Sequence, residues 1–361
     1  MSAKINRENH EDQRSDIAKG EDHEAQVSAK AEGEAFEAQI SAKAEGEVHE
    51  ARISAKAEGE VHEARLSDRT RGAILTTFGG ICWGLSGSMG QFLFTREGMD
   101  ARWLTPIRLF IAGLILFVYC LIREKALLLD IVKHKRTLIL LFVYGILGVS
   151  FCQLTYFMTI QYSSAGVGTI MQDLSPVMIL VMTCILNKRR PRLLEIASIG
   201  LAFIGVLLII THGNLKQLAF PPVAIVTGVL CAMGVCVYNL IAPFLTNRYP
   251  VTVLQAWSFL AGGVIVGLVT GGFRIKYSPS PVGIFGIFFV VVVGNILAFT
   301  SYIKGVSLIG PSRGILYGFS EPVTAALIST LAFGSAFGFW DLVGFACIFF
   351  MLFLISKKRT V

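Results

Sequence analysis

Charge is scarce in this sequence. Asp, Glu, Lys and Arg make up only 16% of its 361 residues, 53% are hydrophobic, and mean hydropathy is +0.63. So little polar character excludes an ordinary soluble domain and fits a polytopic membrane protein. Histidine is missing where chemistry would need it. Four of the six (His10, His23, His49, His62) precede the apolar part of the chain, and only His134 and His212, at the ends of apolar stretches, remain for the body. That argues against a His-based metal or catalytic centre. The seven cysteines (Cys82, Cys120, Cys152, Cys184, Cys231, Cys236, Cys347) all fall inside apolar stretches without metal-ligand spacing, and read as small buried hydrophobes. HExxH and a nucleotide-phosphate loop are absent and no His lies within the apolar stretches, so no enzyme, catalytic residue, cofactor or metal is expected. The amino end lacks the charged, apolar, small order of a signal peptide, which leaves the first apolar stretch as the targeting signal.

The scarce charge is unevenly placed. Residues 1–71 hold 17 of the 25 acidic and 11 of the 32 basic residues, leaving 21 basic against 8 acidic in the remainder. The overall +7 therefore gives no reason to expect nucleic acid as a partner. Residues 14–65 form a tandem repeat of period 13. Ile40–Arg52 and Ile53–Arg65 both read ISAKAEGEVHEAR, Val27–Gln39 is a close copy, and Arg14–Gln26 a decayed one. Each copy is rich in Ala, Glu and Lys but offers no broad apolar face, so residues 1–71 read as a solvated low-complexity tail on the cytoplasmic side. A partner-binding helix is the functional alternative, which would make the protein a receptor or scaffold whose partner binds the tail.

Ten apolar stretches follow, at about 72–94, 103–122, 137–160, 164–186, 193–211, 221–244, 252–271, 281–305, 311–333 and 338–356, each near the ~20 residues a bilayer demands. Only helices suit them, because backbone groups in lipid must be satisfied within their own segment. The expected fold is all-α, with ten transmembrane helices. In alternate connections, Lys and Arg near the span ends number sixteen on one side and five on the other. That imbalance places both termini, including the basic tail 357–361, in the cytoplasm, with the protein in the plasma membrane. Gly80-x-x-x-Gly84-x-x-x-Ser88, Gly228-x-x-x-Ala232-x-x-x-Cys236 and Gly263-x-x-x-Gly267-x-x-x-Gly271 are small-residue seams for close helix packing. Trp103 and Trp340, at span ends, read as interfacial anchors; Trp83 and Trp257 lie deeper, as packing or as cavity wall.

Two spans carry an acid beside a proline. Gly310–Leu331 reads GPSRGILYGFSEPVTAALISTL, with Glu321 near its centre and Pro322 directly after it. A carboxylate at that depth costs roughly 2.5–3.5 kcal/mol on translocon scales. A proline there removes a backbone donor and leaves the Gly318 carbonyl without its helical partner. Ala165–Leu186 repeats the arrangement with Asp173 and Pro176. Setting Ser175-Pro176-Val177 on Glu321-Pro322-Val323 gives an offset of 146, which also aligns Gly148 with Gly294, Tyr156 with Tyr302, Gly168 with Gly314 and Glu195 with Asp341. Spans one and two match six and seven at an offset of 149. This self-similarity predicts a duplication, with residues 72–211 and 221–356 as two five-helix halves. An odd number of spans per half requires opposite orientations, the inverted-repeat plan of secondary transporters.

Polar stripes mark where a pathway would run. Thr169, Gln172, Asp173 and Pro176 share one helix face, as do Arg313, Tyr317, Ser320, Glu321 and Thr324. Gln153 with Tyr156, Asn295 with Tyr302, and Trp83 with Gln91 make further stripes, and Asn239 adds a polar group. Lipid would not tolerate these groups, so they point at one another or at water. A single Ser or Thr can instead bond its own helix. Arg108, on the second turn of its span, is within snorkelling reach of the interface, and Lys304 and Arg313 lie near span ends.

The Trp83-Gly84 pair, the Ile107-Arg108-Leu109-Phe110 run, the prolines of the fourth and ninth spans, and Glu321-Pro322-Val323 resemble the EamA-type transporters of the drug/metabolite transporter superfamily. The resemblance covers roughly residues 72–356 and leaves out the tail. It implies two inverted five-helix halves, both termini inside, and passage of small metabolites such as amino acids or amines, often outward. Leu85-Ser86-Gly87-Ser88, where many members carry an Asn, and Asp173 depart from that pattern. The expected function is a secondary permease working by alternating access, with a small-molecule substrate, the lipid bilayer and protons as its partners. Glu321 and Asp173 would meet a substrate ammonium or exchange a proton.

Overall fold

An apolar run of twenty residues can satisfy its backbone in lipid only by coiling on itself, and the chain does so almost throughout. The computed structural model describes residues 68–214, 219–335 and 337–358. The 13-residue repeats lie outside the described residues, as does the end of the basic tail. Among the described residues there is helix but no strand. The first helix, α1, covers residues 68–95. Seven helices long and apolar enough to cross a membrane follow: α2 (Ala101–Arg123), α3 (Lys135–Tyr162), α4 (Ala165–Leu186), α5 (Leu193–Thr211), α6 (Pro222–Thr246), α7 (Val251–Val269) and α8 (Pro281–Ile309). Next come α9, in two pieces (Pro311–Gly318 and Ser320–Phe333), and α10 (Phe339–Lys358). A short helix, Lys125–Asp130, fills the connection between α2 and α3.

Small residues set which helices meet. A Cβ on Gly263 would lie 2.6 Å from the Phe110 backbone nitrogen, and one on Gly113 would run into the backbone of Leu260, so α2 and α7 pack backbone to backbone. Gly148 seats Tyr238 and Gly234 seats Cys152, joining α3 to α6. Gly79 lies against Ala298 and Tyr302 of α8, and Gly205 against Gly344, bringing α5 to α10. The first half of α4 runs beside the second half of α9.

Two local features escape periodicity. Val143–Ser150 within α3 and Val290–Leu297 within α8 are π-helical, a widened turn that shifts the phase of the side chains around it and often marks a functional site. Helix starts, by contrast, follow ordinary capping rules. Glu195 accepts the Arg192 amide at 2.7 Å at the start of α5, and Asp341 accepts the Gly338 amide at 2.7 Å at the start of α10. These are the two acids that the 146 offset aligns.

Polar contacts tie the connections together at each end. At one end Asp130 accepts from the Tyr249 hydroxyl and from Arg248, both at 2.8 Å, and Trp257 donates to the Leu128 carbonyl at 3.1 Å. Trp257 is therefore packing for the short helix. At the other end the Tyr277 hydroxyl donates to the Glu97 carbonyl at 2.9 Å, Trp103 packs edge-on against Tyr277, and His212 pairs with Asp341 at 2.6 Å. Trp340 is half-exposed beside Gly213.

Candidate functional site

Both acid-bearing helices are broken, and the breaks precede the prolines. The first half of α4 ends at Gln172, Asp173 and Leu174 form a turn, and the helix restarts at Ser175. The first half of α9 ends at Gly318, Phe319 turns, and the helix restarts at Ser320. Pro176 and Pro322 thus stand in the first turn of a new half-helix, where a missing N–H costs nothing and the fixed φ helps. The expectation of a proline interrupting a continuous helix is corrected in this detail: the proline starts a helix after the turn. Glu321 lies in the first turn of its half-helix, at the positive end of that helix dipole, which offsets part of the cost of a carboxylate at depth. Asp173 caps the end of the first half of α4 and lies just before the second, where the two dipoles oppose each other.

The two breaks are brought together. Gly80 and Gly84 on α1 lie directly on the α9 break; a Cβ at Gly84 would be 2.6 Å from the Glu321 carbonyl oxygen. Trp83, on the same helix, packs against Tyr302 of α8 with ring centroids 4.8 Å apart and the ring planes tilted by 49°. Glu321 and Asp173 lie within electrostatic reach of each other and of Tyr302, and Glu321 also of Tyr156. Both acids are partly accessible, and one carboxylate oxygen of Asp173 is buried without a hydrogen-bond partner. A cavity of about 330 Å³ runs along the second half of α4 to the start of α5, lined by Pro176, Thr183, Arg189, Glu195 and Ser198 among others and by neither Asp173 nor Glu321.

The remaining polar residues have separate partners. Gln91 is buried, and its side-chain oxygen accepts from the Ala165 amide and the Ser329 hydroxyl, each at 2.9 Å. It caps the start of α4 from α1 and links it to α9. Gln172 instead faces the thiols of Cys231 and Cys152, at 3.6 and 4.0 Å. Thr169 bonds its own helix. Asn239 is exposed and donates to Val235 of its own helix at 2.9 Å, and Tyr317 is 41% exposed. Among the described residues, neither contributes a side-chain hydrogen bond to the central group.

Gln153, Tyr156 and Asn295 gather around a residue expected elsewhere. Arg108 does not snorkel. It is 2% exposed, its guanidinium donates to the side-chain oxygens of Gln153 and, at 3.4 Å, of Asn295, and it lies over the Phe157 ring 3.8 Å from the centroid. The face of α2 that carries it packs against α3 and α8, away from the seam with α7. The signal available in sequence was the company of Gln153 and Asn295, two amide acceptors in apolar helices with no donor assigned to them.

Among the described residues, no cluster of His, Cys, Asp and Glu could hold a metal ion. The arrangement suits recognition of a polar molecule: paired acids at helix breaks, aromatic walls and a buried cation.

Comparison with known proteins gives the same class. The EamA-like transporter family matches residues 70–211 and again residues 222–357. The chain belongs to that family. It is 30% identical over 286 residues to the uncharacterized inner membrane transporter YicL of Salmonella typhimurium (strain LT2), covering 79% of this chain and 95% of that protein. It is 27% identical over 213 residues to the uncharacterized transporter YyaM of Bacillus subtilis (strain 168), covering 56% of this chain and 68% of the relative. A solved structure described only as "Crystal structure of protein" matches with a TM-score of 0.55 at 16% identity, over 81% of this chain and 99% of that one, and so shares its fold. This EamA-like protein is a multi-pass membrane transporter and not an enzyme.

Proposed function

We propose that the protein is a secondary permease of the plasma membrane that moves a small polar metabolite, such as an amino acid or an amine, by alternating access. Its ten helices form two inverted five-helix halves, with both termini in the cytoplasm. The observation that carries the reading is the pair of carboxylates, Glu321 and Asp173, at two helix breaks held side by side. They bind the ammonium group of the substrate or take up a proton in exchange, as buried acids in carriers do. The double family match supports duplication. So does the pairing of α1 with α8, α2 with α7, α3 with α6, α4 with α9 and α5 with α10, since exchanging the halves turns that set of pairs into itself. The sixteen-to-five bias of Lys and Arg supports the orientation, and the printed name of the Salmonella relative supports the location.

The test is efflux from proteoliposomes by Glu321→Gln. Loss of a charge-assisted contact of about 1.5–3 kcal/mol predicts a fall of roughly ten- to a hundred-fold, with a flattened pH dependence. An unchanged rate with unchanged pH dependence would dismiss the role given to Glu321.

A further inference from the structure

Acids at the breaks account for one half of a substrate. The other half is addressed by donors that the protein leaves unused. Arg108 forms no ion pair with any described carboxylate. Its guanidinium is bonded through both terminal nitrogens, to Gln153 and Asn295, yet its Nε–H has no partner. The Asn295 amide nitrogen and the Tyr156 hydroxyl are likewise buried and unpartnered. These three are neighbours: the Asn295 oxygen accepts from Arg108, and Tyr156 lies within electrostatic reach of Arg108 and packs edge-on against Phe157, the ring beneath it. A cation with no counter-ion and two further idle donors are costly in an apolar bundle, each buried unsatisfied group at about 1–3 kcal/mol. Neutral amide acceptors moderate the charge but do not neutralise it. A planar anion that accepts from all three does.

We infer that Arg108, with Asn295 and Tyr156, is a carboxylate-binding subsite, so that the cargo carries a free carboxylate and not an amine alone. The inference rests on the permease reading above. Tyr156 is within electrostatic reach of Glu321 as well as of Arg108, so it links the anion subsite to the acids at the breaks. The Arg108 guanidinium offers its edge to the carboxylate, while stacking on Phe157 and the bond to Gln153 fix its plane. An ammonium elsewhere on the same molecule meets Glu321 or Asp173.

The test uses the full-length protein in proteoliposomes loaded with an equimolar mixture of the protein amino acids, their carboxamides and their decarboxylated amines, with efflux read by mass spectrometry. The expected result is that every compound released faster than from protein-free vesicles carries a free carboxylate. Arg108→Gln is expected to slow those compounds roughly ten- to a hundred-fold, with Arg108→Lys in between. The comparison of acid with carboxamide needs only the unaltered protein, so it stands even if Arg108→Gln fails to fold. Equal release of acids and their carboxamides, or release of amines alone, overturns the subsite and leaves the permease reading intact. Release of nothing in the mixture overturns both. Arg108→Gln that keeps the wild-type rate and selectivity assigns Arg108 to packing and sinks the inference.

Discussion

Asp130 shows how a single partly buried side chain can tie two connections together. The Tyr249 hydroxyl, bonded to it at 2.8 Å, and next Arg248 and His134 hold its carboxyl below the usual carboxylate range. Burial and that same bond push the Tyr249 phenol up. Because the folded-state pKa of Asp130 is depressed, its contribution is present above the unfolded value of about 3.9 and is lost as pH falls through the lower, folded one. Asp130→Asn is therefore expected to lower thermal stability at neutral pH and to match the wild type once the pH is well below 4. Unfolding scans of the detergent-solubilised protein across that range check it. A constant difference at every pH would mean that the charge is not what matters. At the same scale Arg108 carries the clearest lesson of location: its type is evident in sequence, but whether an arginine near a span end turns out or in depends on the helices behind it.

Among elements, the start of α4 is held by neighbours rather than by its own sequence. Ser164 accepts the Val167 amide at 3.3 Å, as a local cap does, but the Ala165 amide is met by Gln91 of α1 and the Gly166 amide by Ser329 of α9. Gln91→Leu leaves a buried N–H without an acceptor, for about 1–3 kcal/mol. The expected outcome is a lower unfolding temperature and weaker protection of the Ala165 amide in hydrogen exchange, with Gln91→Glu closer to the wild type. Unchanged protection would show that water replaces the side chain. The α1 seam works the same way: Gly80 and Gly84 are legible as a close-packing motif, but only the fold reveals that what approaches them is the α9 break with Glu321.

Across the whole molecule, the two family matches leave residues 1–69 outside the transporter pattern. Removing residues 1–65 is expected to leave efflux unchanged, whereas a scaffold acting through the repeats would lose its activity. Orientation is open to direct measurement. A cysteine at Ser278 should react with a membrane-impermeant maleimide in intact cells, and one at Lys133 only after permeabilisation; the reverse result would turn the halves over.

Read alone, the sequence determines the class of the protein: the length and apolarity of the spans, the acids beside prolines, the small-residue seams and the 146-residue echo all follow from local composition and spacing. Helical coiling in lipid is imposed on each segment separately, so it can be read segment by segment. What converges at the centre is settled only by tertiary structure. Arg108 turns inward, Asn239 and Tyr317 stand apart, Trp257 packs on the short helix while Trp83 packs on Tyr302, and the turns fall just ahead of Pro176 and Pro322. The physical reason is that a helix face acquires its environment from whichever helix packs against it, and that choice rests on contacts between residues more than a hundred positions apart, such as Gly84 with Glu321 and Arg108 with Asn295.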